Sequence, residues 1–402
     1  MDCNCSCNTM CSSAAFFGGI GVWYVWRSLN KHTRKLSSPS TSASSSESQS
    51  GDVGYTNVEP LALPVIDVAA FMNKVNRPDY YEKECAKLSD ALQMYGCAVI
   101  RDPRVDYDFN NTFLDMMERY FTLSDGVRDA RPQYHYQVGV TPERIERARD
   151  HCKAMGAYRG KDKPLSPCPP ELDAKWRFFW RVGPTPKSSR FPSLNMDPVI
   201  PPEIPEWKDV MDSWGSKMLA SLFVVAEMAA VGFELPSDAF TSRMQFGPHL
   251  LAPTGSDLSK YGKNKQVLAG FHTDLNFLTI HGKSRYPGLY VWTRQGEKKQ
   301  VKVPDGCLLV QAGKQIEYLT GGHVKAGFHE VVVNENTLEV IKRRKQEGKP
   351  LWRVSSTLFG HIASDQTLEP LGRFNTPEAV EVYPPVYAGD QVQNELKLIK
   401  LH

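Results

Sequence analysis

The chain has 402 residues, 41% of them hydrophobic and 10% aromatic, enough side-chain volume for a sizeable core. That excludes a wholly disordered chain, a disulfide-held miniprotein and a collagen-like repeat. A net charge of +3 does not point to a nucleic-acid partner, whose binding domains carry a clustered basic excess.

The N-terminus is unlike the rest. Four of the nine cysteines (Cys3, Cys5, Cys7 and Cys11) stand in the first eleven residues, with no partner at zinc-site spacing. Reversible palmitoylation beside an apolar segment is the alternative to a metal site. Residues 11–26 (CSSAAFFGGIGVWYVW) carry no charge, and Arg27, Lys31, Arg34 and Lys35 follow at once. The run is shorter than the roughly 20 residues of an ordinary span. Its positive charge comes after it rather than before it, which disfavours a cleaved signal peptide and leaves the body in the cytosol. Residues 1–35 therefore read as a membrane anchor, with contact through 11–35; an organelle-targeting leader is the alternative. Residues 36–60, serine-rich over 37–50, read as a disordered tether.

Length alone suggests two or three domains. The body instead reads as one composite domain over 61–402: an α-rich part at 61–240, a β-rich part at 241–375 and a tail at 376–402. A strand is predicted at 63–68, and a helix over 80–95 carries Cys85, Leu88, Leu92 and Met94 and stops at Gly96. A buried strand at 97–100 and an amphipathic helix at 109–121 follow. Residues 130–205 read as irregular, with Trp176, Phe178, Phe179 and Trp180 packing the helix layer. The longest helical pattern covers 207–233, with Met211, Trp214, Met218, Leu222, Val225 and Met228 near 3.6 spacing, and suits a helix behind a sheet.

From 242 to 359, β-like runs alternate with Gly, Pro and Asn turns. They fall at 267–271, 277–281, 289–292, 300–303, 307–310, 315–319, 328–333 and 354–359, the pattern of a sandwich or barrel. A helical insert at 337–347 carries Lys342, Arg343, Arg344 and Lys345, read as a solvated face. Cys85, Cys97, Cys152, Cys168 and Cys307 are scattered and read as free thiols in a reducing compartment.

The chemistry concentrates in Gly270-Phe-His-Thr-Asp-Leu-Asn-Phe-Leu-Thr-Ile280. On a strand, His272 and Asp274 project from one face. A second histidine from a distant strand would complete a facial triad, which holds Fe(II) and leaves positions open for substrate and oxygen. His329, in Gly-Phe-His-Glu-Val-Val-Val, is the candidate. Its competitors are His323, in a Gly-flanked turn and expected to be exposed, and His281, an odd number of residues from His272 and expected on the opposite face. Arg353 and Ser355 also share a face. A guanidinium fork beside a hydroxyl suits the distal carboxylate of 2-oxoglutarate. Arg243 is a weaker candidate for the pocket, as a partner for an acidic substrate.

Across roughly residues 61–375 the chain resembles the isopenicillin N synthase-like branch of the 2-oxoglutarate/Fe(II)-dependent dioxygenases. The resemblance is carried in order by LPVIDVAAF, YGCAVIRD, RVGPTP with FPSLN, HTDLNFLTI, AGKQIEYLTGGHVKAGFHEVVV and RVSSTLF. It implies an α+β fold with a mainly β core: a double-stranded β-helix, or jelly roll, over 241–375 with flanking N-terminal helices. It implies His272, Asp274 and His329 as iron ligands and catalytic centre, and Arg353 and Ser355 as the 2-oxoglutarate site. The implied cofactors are Fe(II), 2-oxoglutarate as co-substrate and O2. The implied reaction oxidises a C–H bond of a small organic molecule by hydroxylation, desaturation or ring closure, with release of succinate and CO2. A monomeric catalytic domain without nucleic-acid partners is expected. An iron oxidase that does not use 2-oxoglutarate, or a binding protein on the same scaffold, are the alternatives. Two features depart from the family: the Asn-Tyr-Tyr-Pro segment is here Gln245-Phe246-Gly247-Pro248, and the charged insert lengthens the path from His329 to Arg353.

Overall fold

The computed structural model describes residues 60–399 and 401. The predicted leader, and the tether apart from Pro60, lie outside the described residues. Pro60 opens a short strand, Pro60–Leu61, which pairs in parallel with Lys298–Val301.

Two sheets form the β core. In the smaller, Pro60–Leu61, Lys298–Val301, Leu289–Trp292, His329–Val332 and Val267–His272 lie in that order. The larger runs from Trp352–Ser355 through Thr254–Asp257, Trp176–Arg181, Leu250–Leu251, Thr357–Gly360, Leu278–His281, Leu308–Ala312 and Cys97–Arg101 to Val65–Asp67. Val291 and Val301 of the first pack against Val99 and Leu309 of the second, so apolar side chains join the sheets. This is the expected jelly roll.

Helices Pro78–Tyr95, Tyr107–Leu123 and Trp207–Gly232 cover the other face of the larger sheet through one continuous apolar cluster. Among the described residues, Trp207–Gly232 is the helix long and apolar enough to cross a membrane. Its Trp207, Met211, Trp214, Met218, Leu222, Val225 and Met228 are instead buried in this core, so the apolar stripe serves packing. Gly96 ends Pro78–Tyr95 with φ +65°, and a Cβ there would lie 3.0 Å from the Gly327 Cα. Only glycine suits both the left-handed turn and the close approach.

Several local expectations change. Residues 315–319 form the end of helix Lys314–Leu319 rather than a strand; so short an apolar run does not distinguish the two. The run 354–359 splits at Ser356 into Trp352–Ser355, which pairs with Thr254–Asp257, and Thr357–Gly360, which pairs with Leu250–Leu251 and Leu278–His281; the buried Ser356 hydroxyl between them accepts the Trp214 indole N–H. Part of the supposedly irregular 130–205 is strand Trp176–Arg181, where Phe178 and Trp180 pack on Trp207. The insert helix is Glu335–Gln346, started by an Asn334 capping box. Lys342, Arg343 and Lys345 are exposed, whereas Arg344 turns inward to Glu118 at 2.9 and 3.2 Å. His323 is half-buried against Phe233 and Phe374 rather than exposed. Finally, Cys152 and Cys168 are joined in a disulfide; Cys85, Cys97 and Cys307 are buried free thiols. Sequence spacing could not pair Cys152 with Cys168, which the fold brings to a Cα separation of 5.6 Å.

Candidate active site

Strands Val267–His272 and His329–Val332 pair antiparallel with His272 opposite His329, and the two imidazoles lie 4.2 Å apart. The strand ends at His272, so Asp274 stands in the following turn rather than on the strand itself. That turn is held by Asn276, whose side-chain amide donates to the Leu278 and Gly360 carbonyls. The carboxylate still reaches the imidazoles: Asp274 Oδ1 is 3.8 Å from His272 Nε2 and 3.9 Å from His329 Nε2.

Each ligand atom has its direction set from behind. His272 Nδ1–H donates to Gly270 O at 2.6 Å, and His329 Nδ1–H to Gly327 O at 3.2 Å. Both Nε2 lone pairs are thereby turned toward the gap. The Thr279 hydroxyl donates to Asp274 Oδ2 at 2.7 Å, leaving Oδ1 for the imidazoles. One donor atom from each residue lies within 4.8 Å of the others, and two neutral nitrogens with one carboxylate suit a divalent iron. Burial and the neighbouring His329 hold the His272 imidazole well below its ordinary range, in the neutral form a ligand needs. Burial alone would raise the Asp274 carboxyl, but His329, His272 and the Thr279 hydrogen bond hold it low. Another grouping, Asp150 with Cys152 and Cys168, has its sulfurs tied up in the disulfide.

Two cavities meet at these residues. The larger, about 400 Å³, is lined by Arg353, Ser355, Thr357 and His281. Arg353 is buried, donates from Nε to Pro287 O at 3.3 Å, and has no carboxylate partner among the described residues. Its burial pushes the guanidinium down to about 10. Ser355 and Thr357 share a hydrogen bond of 2.9 Å. His281 faces this cavity, against expectation: the chain leaves the sheet between His272 and Leu278, so strand parity does not carry across. Its nitrogens are engaged by Gln311 at 2.7 Å and Thr357 at 3.0 Å, and burial pushes it down to about 4. Arg243 lines neither cavity and donates to Ala239 O. Phe246, in the divergent segment, is exposed.

The smaller cavity, about 90 Å³, lies beside the triad under helix Ala388–Leu398. It was not legible in the sequence. Lys175 and Arg177 border both cavities and form a buried ionic cluster: Lys175 with Asp173 at 2.7 Å and Glu146 at 3.1 Å, and Arg177 with Glu146 at 3.1 Å. Asp173 also accepts the Gly270 N–H, tying the cluster to the His272 strand. Alternating cations in an otherwise apolar run (Lys-Trp-Arg-Phe-Phe-Trp) were the available signal. From the tail, Glu395 closes onto Arg149 at 2.6 and 2.7 Å, and Val392, Leu396, Ile399 and Leu401 complete the wall.

Comparisons with known proteins agree with this geometry. Residues 249–362 match the 2OG-Fe(II) oxygenase superfamily. A 2-oxoglutarate-dependent dioxygenase of Gibberella zeae is 24% identical over 282 residues, 68% of each chain. Two solved structures share the fold. A 2OG-Fe(II) oxygenase family protein from Caulobacter crescentus has a TM-score of 0.64 and 22% identity, covering 84% of this chain and 98% of its own. A full-length Neurospora crassa protein in complex with alpha-KG has a TM-score of 0.64 and 16% identity, covering 86% and 99%. The matched segment, residues 249–362, is of the 2OG-Fe(II) oxygenase superfamily. With the relatives above, it supports a 2-oxoglutarate-dependent dioxygenase, an oxidoreductase with Fe(II) as its metal.

Proposed function

We propose that His272 Nε2, Asp274 Oδ1 and His329 Nε2 hold the iron, and that Arg353 and Ser355 hold the distal carboxylate of 2-oxoglutarate in the larger cavity. The observation that carries this reading is a single cavity lined by three convergent ligand residues and by a buried guanidinium lacking a carboxylate. A buried cation without a counter-charge is costly, and a bound dicarboxylate would supply one. Bound iron supplies oxygen activation coupled to decarboxylation of 2-oxoglutarate to succinate and CO2, with oxidation of a substrate C–H bond. The chain's own part is positional. Gly270 and Gly327 carbonyls orient the imidazoles, Thr279 orients the carboxylate, and the apolar walls limit access of water. The small organic substrate enters the smaller cavity, with its reacting carbon toward the triad.

Anaerobic Fe(II) titration followed by succinate assay tests the assignment. One iron should bind per chain, and 2-oxoglutarate should then produce a visible charge-transfer absorption. If His272→Ala binds iron as tightly as the parent protein, the ligand assignment fails.

We further propose that residues 61–402 act as one domain, tethered through 36–60 to a membrane contact at 11–35 with the enzyme facing the cytosol. The basic residues after the apolar run support that orientation. The Cys152–Cys168 disulfide favours an oxidising compartment instead. Thiol counting on freshly lysed cells, with protease protection of membranes, separates the two. Reactive Cys152 and Cys168 would accompany a cytosolic body, and an intact disulfide a lumenal one.

A further inference from the structure

With Asp274 set aside as part of the triad, the charges lining the smaller cavity leave one cation without a partner. Four cations stand on its wall: Arg147, Arg149, Lys175 and Arg177. Three have carboxylates. Arg149 donates from Nη1 to both Glu395 carboxylate oxygens, Lys175 and Arg177 share Glu146, and Lys175 also pairs with Asp173 behind it. Arg147 has no ion pair among the described residues, and its buried Nε has no hydrogen-bond partner. Arg147 is half-buried, and because a guanidinium keeps its charge at ordinary pH, a counter-ion at its buried edge would be stabilising. Arg181 also lacks a carboxylate, but it lines neither cavity and donates to the Pro184 carbonyl.

Most of the remaining wall is apolar, with Phe179, Leu194, Leu250, Phe359, Leu396 and Leu401, and its neutral polar members are Gln137, Thr273, Asn276 and His361. The cavity therefore offers one uncompensated positive charge, a small apolar body space and a border on His272 and Asp274. The geometry points to a small monoanionic carboxylic acid as the substrate class, with its carboxylate on the Arg147 guanidinium and its apolar body reaching toward the triad. A neutral molecule would leave Arg147 unpaired. A phosphate monoester would bring close to two charges against one. The planar fork of arginine matches a carboxylate in two parallel hydrogen bonds. The inference rests on the reading above for where the reacting carbon lies, but the anion preference stands on the cavity's own charges.

The test uses the full chain, anaerobic, with Fe(II) and saturating 2-oxoglutarate, so that added acids do not occupy the larger cavity. Calorimetry compares 3-phenylpropionate, cyclohexylacetate and octanoate with their methyl esters and primary amides, and octanoate with octyl phosphate. At least one acid should bind about tenfold or more tightly than its ester and amide, the scale of a charge-assisted hydrogen bond. Arg147→Gln should remove that difference, and Arg147→Lys should keep part of it. Acids binding no better than their neutral analogues, octyl phosphate binding more tightly than octanoate, or an undiminished preference in Arg147→Gln would each overturn the proposal. The same comparison on metal-free protein separates the two readings. Failure of the iron and 2-oxoglutarate absorption sinks the site assignment above, whereas failure of the acid preference sinks only this one.

Discussion

The two cavities at the triad are built from different kinds of chain. The larger is framed by regular β structure: Arg353 and Ser355 alternate on one short strand, and His281 and Thr357 sit on neighbouring paired strands. The smaller is assembled from the segment around Glu146, strand Trp176–Arg181 and the C-terminal helix, which are far apart in sequence. Both present an arginine without a carboxylate partner. On the proposed assignment, a co-substrate site is written as a local pattern, while a substrate site is written in tertiary contacts. Loops and tails carry that variation because they change without disturbing the β core.

Four experiments bear on this contrast. The largest effect is expected where the cavities meet. Asp274→Ala removes the proposed charged ligand, and both iron binding in anaerobic titration and succinate release should be lost. If iron still binds stoichiometrically, the cavities do not share a metal centre.

Arg353→Gln should affect the larger cavity alone. The Kd for 2-oxoglutarate is expected to rise by about 10- to 100-fold, the equivalent of ~1.5–3 kcal/mol for a charged hydrogen bond, with iron binding unchanged. An unchanged Kd would move the co-substrate elsewhere.

The smaller cavity should be the more acid-sensitive. His361 lines it, and its backbone N–H donates to His249 Nδ1 at 3.1 Å. Burial pushes both imidazoles down to about 3. Each folded pKa is thus below its unfolded value. The folded state binds fewer protons, so the stability each contributes is present above about pH 6.5 and is lost as pH falls toward 3. Between about pH 6.5 and 5 the loss is on the order of 2 kcal/mol per histidine. Denaturant titrations over that range should show it, with a shallower slope in His249→Gln. A slope equal to the parent's would mean that His249 is not held neutral.

Glu395→Gln should have the smallest effect. The Arg149–Glu395 pair is partly solvent-exposed, so its loss should cost no more than about 1 kcal/mol in thermal or denaturant unfolding. Global unfolding on this substitution would show that the tail supports the core rather than covering the smaller cavity.

Much of the fold was legible because its signals are periodic. The 3.6 spacing of Met211, Trp214, Met218 and Leu222 predicted a buried helix, and turn-bounded apolar runs predicted the strands of the β core. The errors fall where neighbours rather than periodicity decide. The run at 354–359 divides at Ser356 because its two halves pair with different strands. Arg344 leaves the solvated face of its helix because Glu118 is buried opposite. Cys152 pairs with Cys168 because the fold brings their Cα atoms to 5.6 Å.

The jelly-roll class, the residue types of a candidate His-Asp-His iron centre and the Arg-Ser pair were readable from the chain alone, since these depend on side-chain chemistry at short or strand-repeating spacing. That His329 sits opposite His272, that His281 turns into the larger cavity and that Arg147 lacks a counter-charge emerged only once the chain was folded. Those facts depend on which distant segments meet, and on which carboxylates are already paired when they do.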